Sequence, residues 1–118
     1  MNRGGPTKWL VDFYQDDRGE RPAEEFLDGL QPDEIASAIM HMDLLKEYGT
    51  LLGMPYARDL KGHKPLWELR PKSIRLLYFL DEGIFIILHG CRKKKSKAFN
   101  RDIAIAENRM AKYLERKK

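Results

Sequence analysis

The sequence predicts an α+β fold in which a small antiparallel sheet is preceded by two helices and followed by a third. Apolar stretches in the second half predict consecutive strands, and apolar residues at three-and-four spacing on either side predict helices. No repeat or linker divides the 118 residues. We therefore expect one domain over residues 1–118, with the helices packed mainly on one face of the sheet.

The first part of the chain predicts one strand and two helices. Trp9 to Tyr14 combines aromatic and β-branched residues, which are typical of a strand, and a turn-prone segment follows it. Pro22 suits the first turn of a short helix that ends near Gly29. A second helix is predicted from Pro32 to Gly49, with acidic residues beside its positive end.

The second part predicts the sheet and a closing helix. The irregular residues 50–64 predict a loop. Three strands are predicted after it, Leu66 to Arg70, Ile74 to Asp81 and Ile84 to Gly90. The Glu82-Gly83 pair favours a tight hairpin between the last two. The closing helix has an apolar stripe formed by Phe99, Ile103, Ala106, Met110, Tyr113 and Leu114. Asn100 is predicted to cap its start.

Charge is distributed unevenly along the chain. Residues 1–48 hold 5 basic and 11 acidic side chains, whereas residues 92–118 hold 11 and 3, and the whole chain has a net charge of +4. This asymmetry indicates a polyanionic partner for the basic surface, most commonly nucleic acid, although a solvated lysine-rich helix gives a similar count. The acidic faces of the first two helices suit a protein partner better than RNA.

Composition excludes several classes of protein. The single cysteine, Cys91, cannot form an internal disulfide, which argues against an oxidising compartment. The apolar runs are far shorter than the roughly 20 residues that cross a bilayer, and no signal peptide is visible. The three histidines lack the spacing of a zinc site, and no phosphate-binding glycine motif is present. We expect a soluble cytoplasmic protein with no metal or nucleotide cofactor.

Arg70 and Arg75 are the first candidates for chemistry. Alternation places Glu68 and Arg70 on one side of their strand, and a four-residue connection would turn Arg75 to the same side. One interpretation is an exposed ion-pair network that includes Glu68. The other is a phosphate clamp, because a guanidinium matches two phosphate oxygens and fixed cations favour a phosphorane-like transition state.

Two basic loops are predicted to flank the same sheet face. One loop contains Arg58, Lys61, His63 and Lys64, and the other contains Lys93, Lys94, Lys95 and Lys97. Taken alone, the lysine run is better explained as a solvated loop, and only its position beside the first loop favours a binding role. His89 ends the strand before the second loop. Such a histidine is commonly a structural residue, but it can act as an acid or base if it faces the cationic surface.

Four strings of residues resemble those of a known family. They are Leu66-Trp67-Glu68-Leu69-Arg70, Ile74-Arg75-Leu76-Leu77-Tyr78-Phe79, Ile87-Leu88-His89-Gly90-Cys91-Arg92-Lys93-Lys94 and Ile103-Ala104-Ile105-Ala106-Glu107-Asn108-Arg109. In this order and spacing they resemble the HigB branch of the RelE/HigB toxins, including its phage-derived relatives, over most of residues 8–114. The resemblance implies a RelE-like fold and the toxin half of a type II toxin–antitoxin pair.

The resemblance also implies an activity and roles for individual residues. The family's members are ribosome-dependent endoribonucleases that cut messenger RNA without a metal, and a cognate helix-turn-helix antitoxin neutralises them. The ribose 2′-hydroxyl attacks the adjacent phosphate, which gives a 2′,3′-cyclic phosphate and a free 5′-hydroxyl. By position, Arg75 would stabilise the scissile phosphate, and Arg70 and Lys93 would bind it or its neighbours. Glu68 and His89 would carry protons.

The basic loops would hold the RNA backbone in this interpretation, through Arg58, Lys61, Lys64, Lys94, Lys95 and Lys97. A rival is a nucleic-acid-binding module of the same fold that has no catalytic activity and acts within an antitoxin complex. A third possibility is a structural or assembly protein retained from a phage. Charge alone fits the first two equally, and substitution of Arg75 separates them.

Overall fold

The computed structural model describes residues 9–118. Its helices are α1 (Pro22–Asp28), α2 (Pro32–Tyr48) and α3 (Ser96–Lys117), and a 3₁₀ turn (Gly49–Leu51) follows α2. Its strands are β1 (Leu10–Phe13), β2 (Ala57–Asp59), β3 (Trp67–Leu69), β4 (Ile74–Asp81) and β5 (Ile84–Arg92). Within the described part of the chain, no helix combines the length and apolar character that a membrane span requires.

The five strands form one mixed sheet in the order β1-β5-β4-β3-β2. The predicted antiparallel neighbours β3, β4 and β5 are confirmed. The sheet is not purely antiparallel, because β1 runs parallel to β5 with Leu10 paired to Ile84. The prediction of a loop over residues 50–64 is also incomplete, since three of those residues pair with β3 as the edge strand β2. Hydrophobic patterning indicates strands but not the direction in which they pair.

The helices cover both faces of the sheet, so the predicted packing on one face is wrong. On one face, Leu27 of α1 and Leu45 of α2 belong to a cluster with Leu76. On the other face, Ile103 of α3 belongs to a cluster with Leu77. The physical reason is that β4 and β5 are apolar on both faces, which requires a layer of helix on each side. Among residues 9–118, a cleft opens on the second face beside the start of α3.

A β-bulge in β5 changes which side chains face α3. Leu77 pairs with His89 whereas the next residue, Tyr78, pairs with Ile87, so Leu88 is an extra residue in the ladder. Because of this extra residue, His89 faces α3, as Leu88 does. Cys91 follows two positions later and belongs to the α3 cluster. The bulge therefore supplies side chains to the second face that regular alternation would have sent to the first.

The start of α3 differs from its prediction. β5 continues to Arg92, which pairs with Ile74, and this leaves only residues 93–95 as a loop. The backbone N–H of Phe99 donates to the carbonyl of Lys95 at 2.9 Å, so the helix already begins there. Asn100 lies inside the helix, and its predicted role as a cap is wrong. The ladder with β4 decides where the strand ends and hence where the helix can begin.

Gly49, at the end of α2, provides a test of this packing. Its φ is +55°, and an added Cβ would lie 2.1 Å from atoms of the Trp9 ring. We expect Gly49→Ala to lower the free energy of unfolding by about 2 to 4 kcal/mol, through backbone strain and overpacking. Gly53→Ala is the matched control, because a Cβ there has open space. Urea denaturation followed by circular dichroism measures both, and equal stabilities would contradict the packing described.

Candidate active site

A cleft lies on the open part of the second face, where α3 begins. It is lined by Arg58, Glu68, Arg70, Arg75, Lys93, Lys94, Ser96 and Phe99. Leu69 pairs with Leu76, so Arg70 and Arg75 occupy the next opposed positions and line the same cleft. This is the register that the four-residue connection required. Residues from β2, β3, β4 and the β5–α3 loop therefore converge on one place.

Glu68 is the buried centre of the cleft. Its side chain is 1% exposed, and its Oε2 accepts hydrogen bonds from Arg70 Nη1 and from Arg58 Nε at 3.1 Å. Arg75 Nε lies 3.9 Å from Oε1. A buried carboxylate is tolerated only where cations compensate the loss of hydration. The four side chains together carry a net charge of +2, which leaves the group attractive to an anion.

Arg75 is the most rigidly held of these cations. Its side chain is 7% exposed, and Nη1 donates to the carbonyls of Lys72 at 3.0 Å and Ile74 at 2.7 Å. Burial, together with the charge of nearby Arg70, lowers the pKa of Arg75 below its usual value. An arginine nevertheless stays protonated at neutral pH. The cleft therefore contains a fixed positive charge whose orientation is set by the β3–β4 turn.

Lys93 and Lys94 occupy the loop on the α3 side of the cleft. The backbone N–H of Lys93 donates to the carbonyl of Ser73 at 2.6 Å, which joins this loop to the β3–β4 turn. The side chain of Lys93 is exposed at the edge of the cleft. Lys94 Nζ instead contacts Asp102 Oδ2 at 2.8 Å. The two lysines thus differ, since one faces solvent and the other is ion-paired to α3.

His89 lies beneath the start of α3, among residues other than those that line the cleft. Its Nε2 is 2.7 Å from Asp102 Oδ1, and Arg109 Nη1 lies 3.2 Å from its Nδ1. Because a guanidinium can only donate, Nδ1 accepts, and this assigns the proton of the neutral ring to Nε2. Burial lowers the pKa of His89 below its usual value, against the opposing effect of Asp102. The neutral ring therefore predominates at pH 7.

Asp102 and Cys91 complete this second cluster. Burial acts to raise the pKa of Asp102, but the hydrogen bonds from Lys94 and His89 outweigh it and lower the pKa below its usual value. Cys91 is 5% exposed, and burial raises the pKa of its thiol to about 12. The cluster at neutral pH therefore consists of an ionised carboxylate, a neutral imidazole and a protonated thiol.

A broader groove continues from the cleft between the β2–β3 segment and α3. Arg58, Ser96 and Phe99 line both the cleft and the groove, and Lys61 and Asn100 line the groove only. The groove adds Lys61 to the cationic surface that begins at Arg58. It provides a path along which a chain of phosphates could be held.

The remaining predicted RNA-binding lysines lie outside the walls of both cavities. Lys64 is exposed in the β2–β3 connection, Lys95 precedes α3, and Lys97 is exposed in its first turn. Ser96 and Phe99 line the cleft but were missed from the sequence. The sequence pattern places Phe99 in the apolar stripe of the closing helix. The position at which α3 begins shows that Phe99 also borders the cleft.

Comparison with known protein families identifies the chain. The family described as "Phage derived protein Gp49-like (DUF891)" matches residues 25–111. The chain belongs to this family. A comparison with curated proteins finds no match. The matched residues of this Gp49-like protein include every residue that lines the cleft.

Solved structures show that the Gp49-like protein has the fold of RelE toxins. RelE in the RelE–RelB complex from Pyrococcus horikoshii OT3 matches with a TM-score of 0.58 and 15% identity, over 75% of this chain and 99% of that chain. The toxin–antitoxin complex RelBE2 from Mycobacterium tuberculosis matches with a TM-score of 0.52 and 20% identity, over 79% of this chain and 98% of that chain. A mutant of E. coli RelE in the free state matches with a TM-score of 0.57 and 14% identity, over 82% of this chain and 96% of that chain.

These comparisons confirm the predicted α+β, RelE-like fold. At 14% to 20% identity, they speak for the fold of the Gp49-like protein rather than for its activity. Assignment to the HigB branch stays a prediction. The chemistry of the site depends on the residues that line the cleft.

The role of Glu68 can be tested by stability. We expect Glu68→Gln to lower the free energy of unfolding by roughly 3 to 5 kcal/mol, because three guanidinium groups would lose their shared counter-charge. Glu20→Gln is the matched control, since Glu20 is exposed and pairs with a single exposed arginine. Its expected change is within about 0.5 kcal/mol. Urea denaturation of both variants measures the difference, and equal losses would contradict the structural role of Glu68.

Proposed function

We propose that this Gp49-like protein is the toxin of a toxin–antitoxin pair and that it cleaves RNA in the cleft around Glu68. The observation that carries the proposal is the convergence of Arg58, Arg70 and Arg75 on one buried carboxylate at the open end of the sheet. Their net positive charge suits a phosphodiester. The cleft lies on a fold that two solved toxin–antitoxin complexes share.

The proposed reaction uses a nucleophile supplied by the RNA. The ribose 2′-oxygen forms a bond to the adjacent phosphorus and its proton passes to a base, while the bond from phosphorus to the 5′-oxygen breaks and that oxygen takes up a proton. The products are a 2′,3′-cyclic phosphate and a 5′-hydroxyl. Negative charge grows on the non-bridging oxygens, and the fixed guanidinium of Arg75, assisted by Arg70, stabilises them.

The proposed reaction also needs groups that accept and donate a proton beside the scissile bond. Glu68 and His89 stay predictions for this role, but their contacts favour other functions. Glu68 is enclosed by arginines, and His89 donates to Asp102 outside the cleft. Lys93 is the better candidate for the group that protonates the leaving 5′-oxygen, because its ammonium group is exposed at the cleft edge.

The groove beside the cleft provides the proposed path for the RNA backbone. Arg58 and Lys61 line it, and Lys94 borders the cleft at the opposite side. Lys64, Lys95 and Lys97 would contact phosphates further from the scissile bond. We propose messenger RNA on the ribosome as the substrate, in keeping with the resemblance to HigB, and the cytoplasm as the place of action.

The proposed protein partner is a cognate antitoxin, and a helix-turn-helix type is the one that the HigB resemblance implies. Residues 1–48, which include α1 and α2, are acidic, and these helices lie on the sheet face opposite α3. An antitoxin bound there would leave the cationic cleft for RNA or for a second, acidic segment of the same antitoxin. We expect binding of the antitoxin to protect the Lys46–Glu47 bond of α2 from trypsin. Unchanged digestion of residues 9–48 in the complex would argue against docking on this face.

The nuclease proposal is tested by induced expression of three variants with mapping of messenger RNA ends. We expect Arg75→Ala to reduce cleavage by at least about 10²-fold and to abolish growth arrest, since it removes one fixed donor to the transition state. Lys93→Ala should reduce cleavage without unfolding the protein, because its side chain is exposed. Arg18→Ala, at another exposed cation, is the control and should cleave normally.

The outcomes separate the nuclease from its rival. New 5′-hydroxyl ends that depend on Arg75 would support cleavage by the proposed route. Intact transcripts with both the wild type and Arg75→Ala would contradict it. If Arg75→Ala only weakens a salt-sensitive affinity for nucleic acid, the protein is a non-catalytic binding module. Circular dichroism of each variant checks that the fold is retained.

A further inference from the structure

Outside the cleft, three side chains that commonly ligate metals meet beneath α3. The donor atoms of His89, Cys91 and Asp102 all lie within 4.8 Å of one another. His89 Nε2 and Asp102 Oδ1 are already 2.7 Å apart. All three side chains are largely shielded from water. The reaction proposed for the cleft assigns no role to Cys91 or Asp102, and the hydrogen bond of His89 to Asp102 keeps its ring away from the cleft.

The backbone brings these residues together for a specific reason. His89 and Cys91 are two positions apart, so they share one face of β5, and the bulge at Leu88 turns that face toward α3. Asp102 projects back from the second turn of α3. Cys91 is 5% exposed and packs among apolar residues, so its side chain is held in place beneath α3. Strand and helix thus present nitrogen, sulfur and oxygen donors to one point.

We propose that His89, Cys91 and Asp102 form a binding site for Zn²⁺, with a water molecule as the fourth ligand. A mixed set of imidazole, thiolate and carboxylate suits Zn²⁺ or Co²⁺ and does not suit Mg²⁺ or Ca²⁺. Tetrahedral zinc with bonds of about 2.0 Å to N or O and 2.3 Å to S needs donor atoms about 3.3 to 3.6 Å apart. Side-chain shifts of about 1 Å would bring the three donors to these separations.

Protons and charges balance when the metal binds. The Cys91 thiol loses its proton to solvent, and the imidazole proton of His89 moves from Nε2 to Nδ1, which frees Nε2 for the metal. Arg109 then gives up its contact with Nδ1 but keeps its 2.9 Å hydrogen bond to the carbonyl of Leu88. One thiolate and one carboxylate neutralise Zn²⁺. In the metal-free protein, Lys94 neutralises Asp102. The bound metal therefore takes the place of that positive charge.

Displacement of Lys94 links the metal site to the cleft. Lys94 lines the cleft and is held by Asp102 Oδ2 at 2.8 Å. Zn²⁺ on Oδ1 would neutralise the carboxylate, which weakens the attraction of Oδ2 for Lys94 and allows its ammonium group to turn toward the cleft. The effect of this movement of Lys94 on RNA binding rests on the proposed function, whereas metal binding itself does not. Binding is therefore measured without RNA.

The experiment titrates the purified, reduced, metal-free full-length protein with Co²⁺ and then with Zn²⁺. We expect one Co²⁺ per chain, with the visible bands of tetrahedral cobalt and a near-ultraviolet thiolate-to-cobalt charge-transfer band. Equimolar Zn²⁺ should remove both, and Zn²⁺ should raise the melting temperature. Cys91→Ala should lose the charge-transfer band, and Asp102→Asn should weaken binding at least tenfold.

His63→Gln is the matched control, because His63 pairs with Glu107 away from the cluster, and it should bind Co²⁺ as the wild type does. Absence of the charge-transfer band in the wild type would overturn the proposal. Unchanged affinity in both His89→Gln and Asp102→Asn would also overturn it, since the thiol would then be binding alone. If Cys91→Ala fails to fold, the wild-type spectrum and Asp102→Asn decide the matter.

Discussion

A single buried carboxylate allows three arginines to share one end of a small sheet. Without Glu68, the guanidinium groups of Arg58, Arg70 and Arg75 would repel one another. The repulsion would be strongest between Arg70 and Arg75, which are largely shielded from water, because charges interact more strongly there than in bulk solvent. With Glu68, each cation has a fixed partner and the group keeps a net charge of +2. An incoming phosphodiester, which carries one negative charge, would lower this net charge to +1. The carboxylate thus holds the three arginines together, and the positive charge that it leaves uncompensated attracts an anion.

The position of this cleft follows from the layers of the fold. β4 is apolar on both faces, with Leu76 and Leu77 both fully buried, so helices must cover both sides of the sheet. α3 covers the second face only from Ser96 onward. The strand ends beyond its N-terminus stay open, and the arginines lie there. The position at which this amphipathic helix begins therefore defines the site as much as the charged residues do.

The sequence predicted those parts of the structure that depend on local patterns. The period of two along β3 and the short connection to β4 were sufficient to bring Arg70 and Arg75 together, and the stripe through Ile103 located α3. The parallel pairing of β1 could not be predicted, since it joins residues that are more than seventy positions apart. Nor could the bulge at Leu88, because one extra residue in a ladder leaves no signature in an apolar run. For that reason the cluster of His89 with Asp102 was missed.

Lys94 connects the two charged networks of the protein. It borders the cleft, yet its ammonium group neutralises Asp102, which also accepts the proton of His89. A phosphate in the cleft and Asp102 therefore compete for one cation, and the cost of leaving a buried carboxylate unpaired holds Lys94 on the α3 side. Any change that neutralises Asp102 by another route shifts that balance toward the cleft. The contact of Lys94 with Asp102 near the start of α3 therefore determines how much positive charge is available in the cleft.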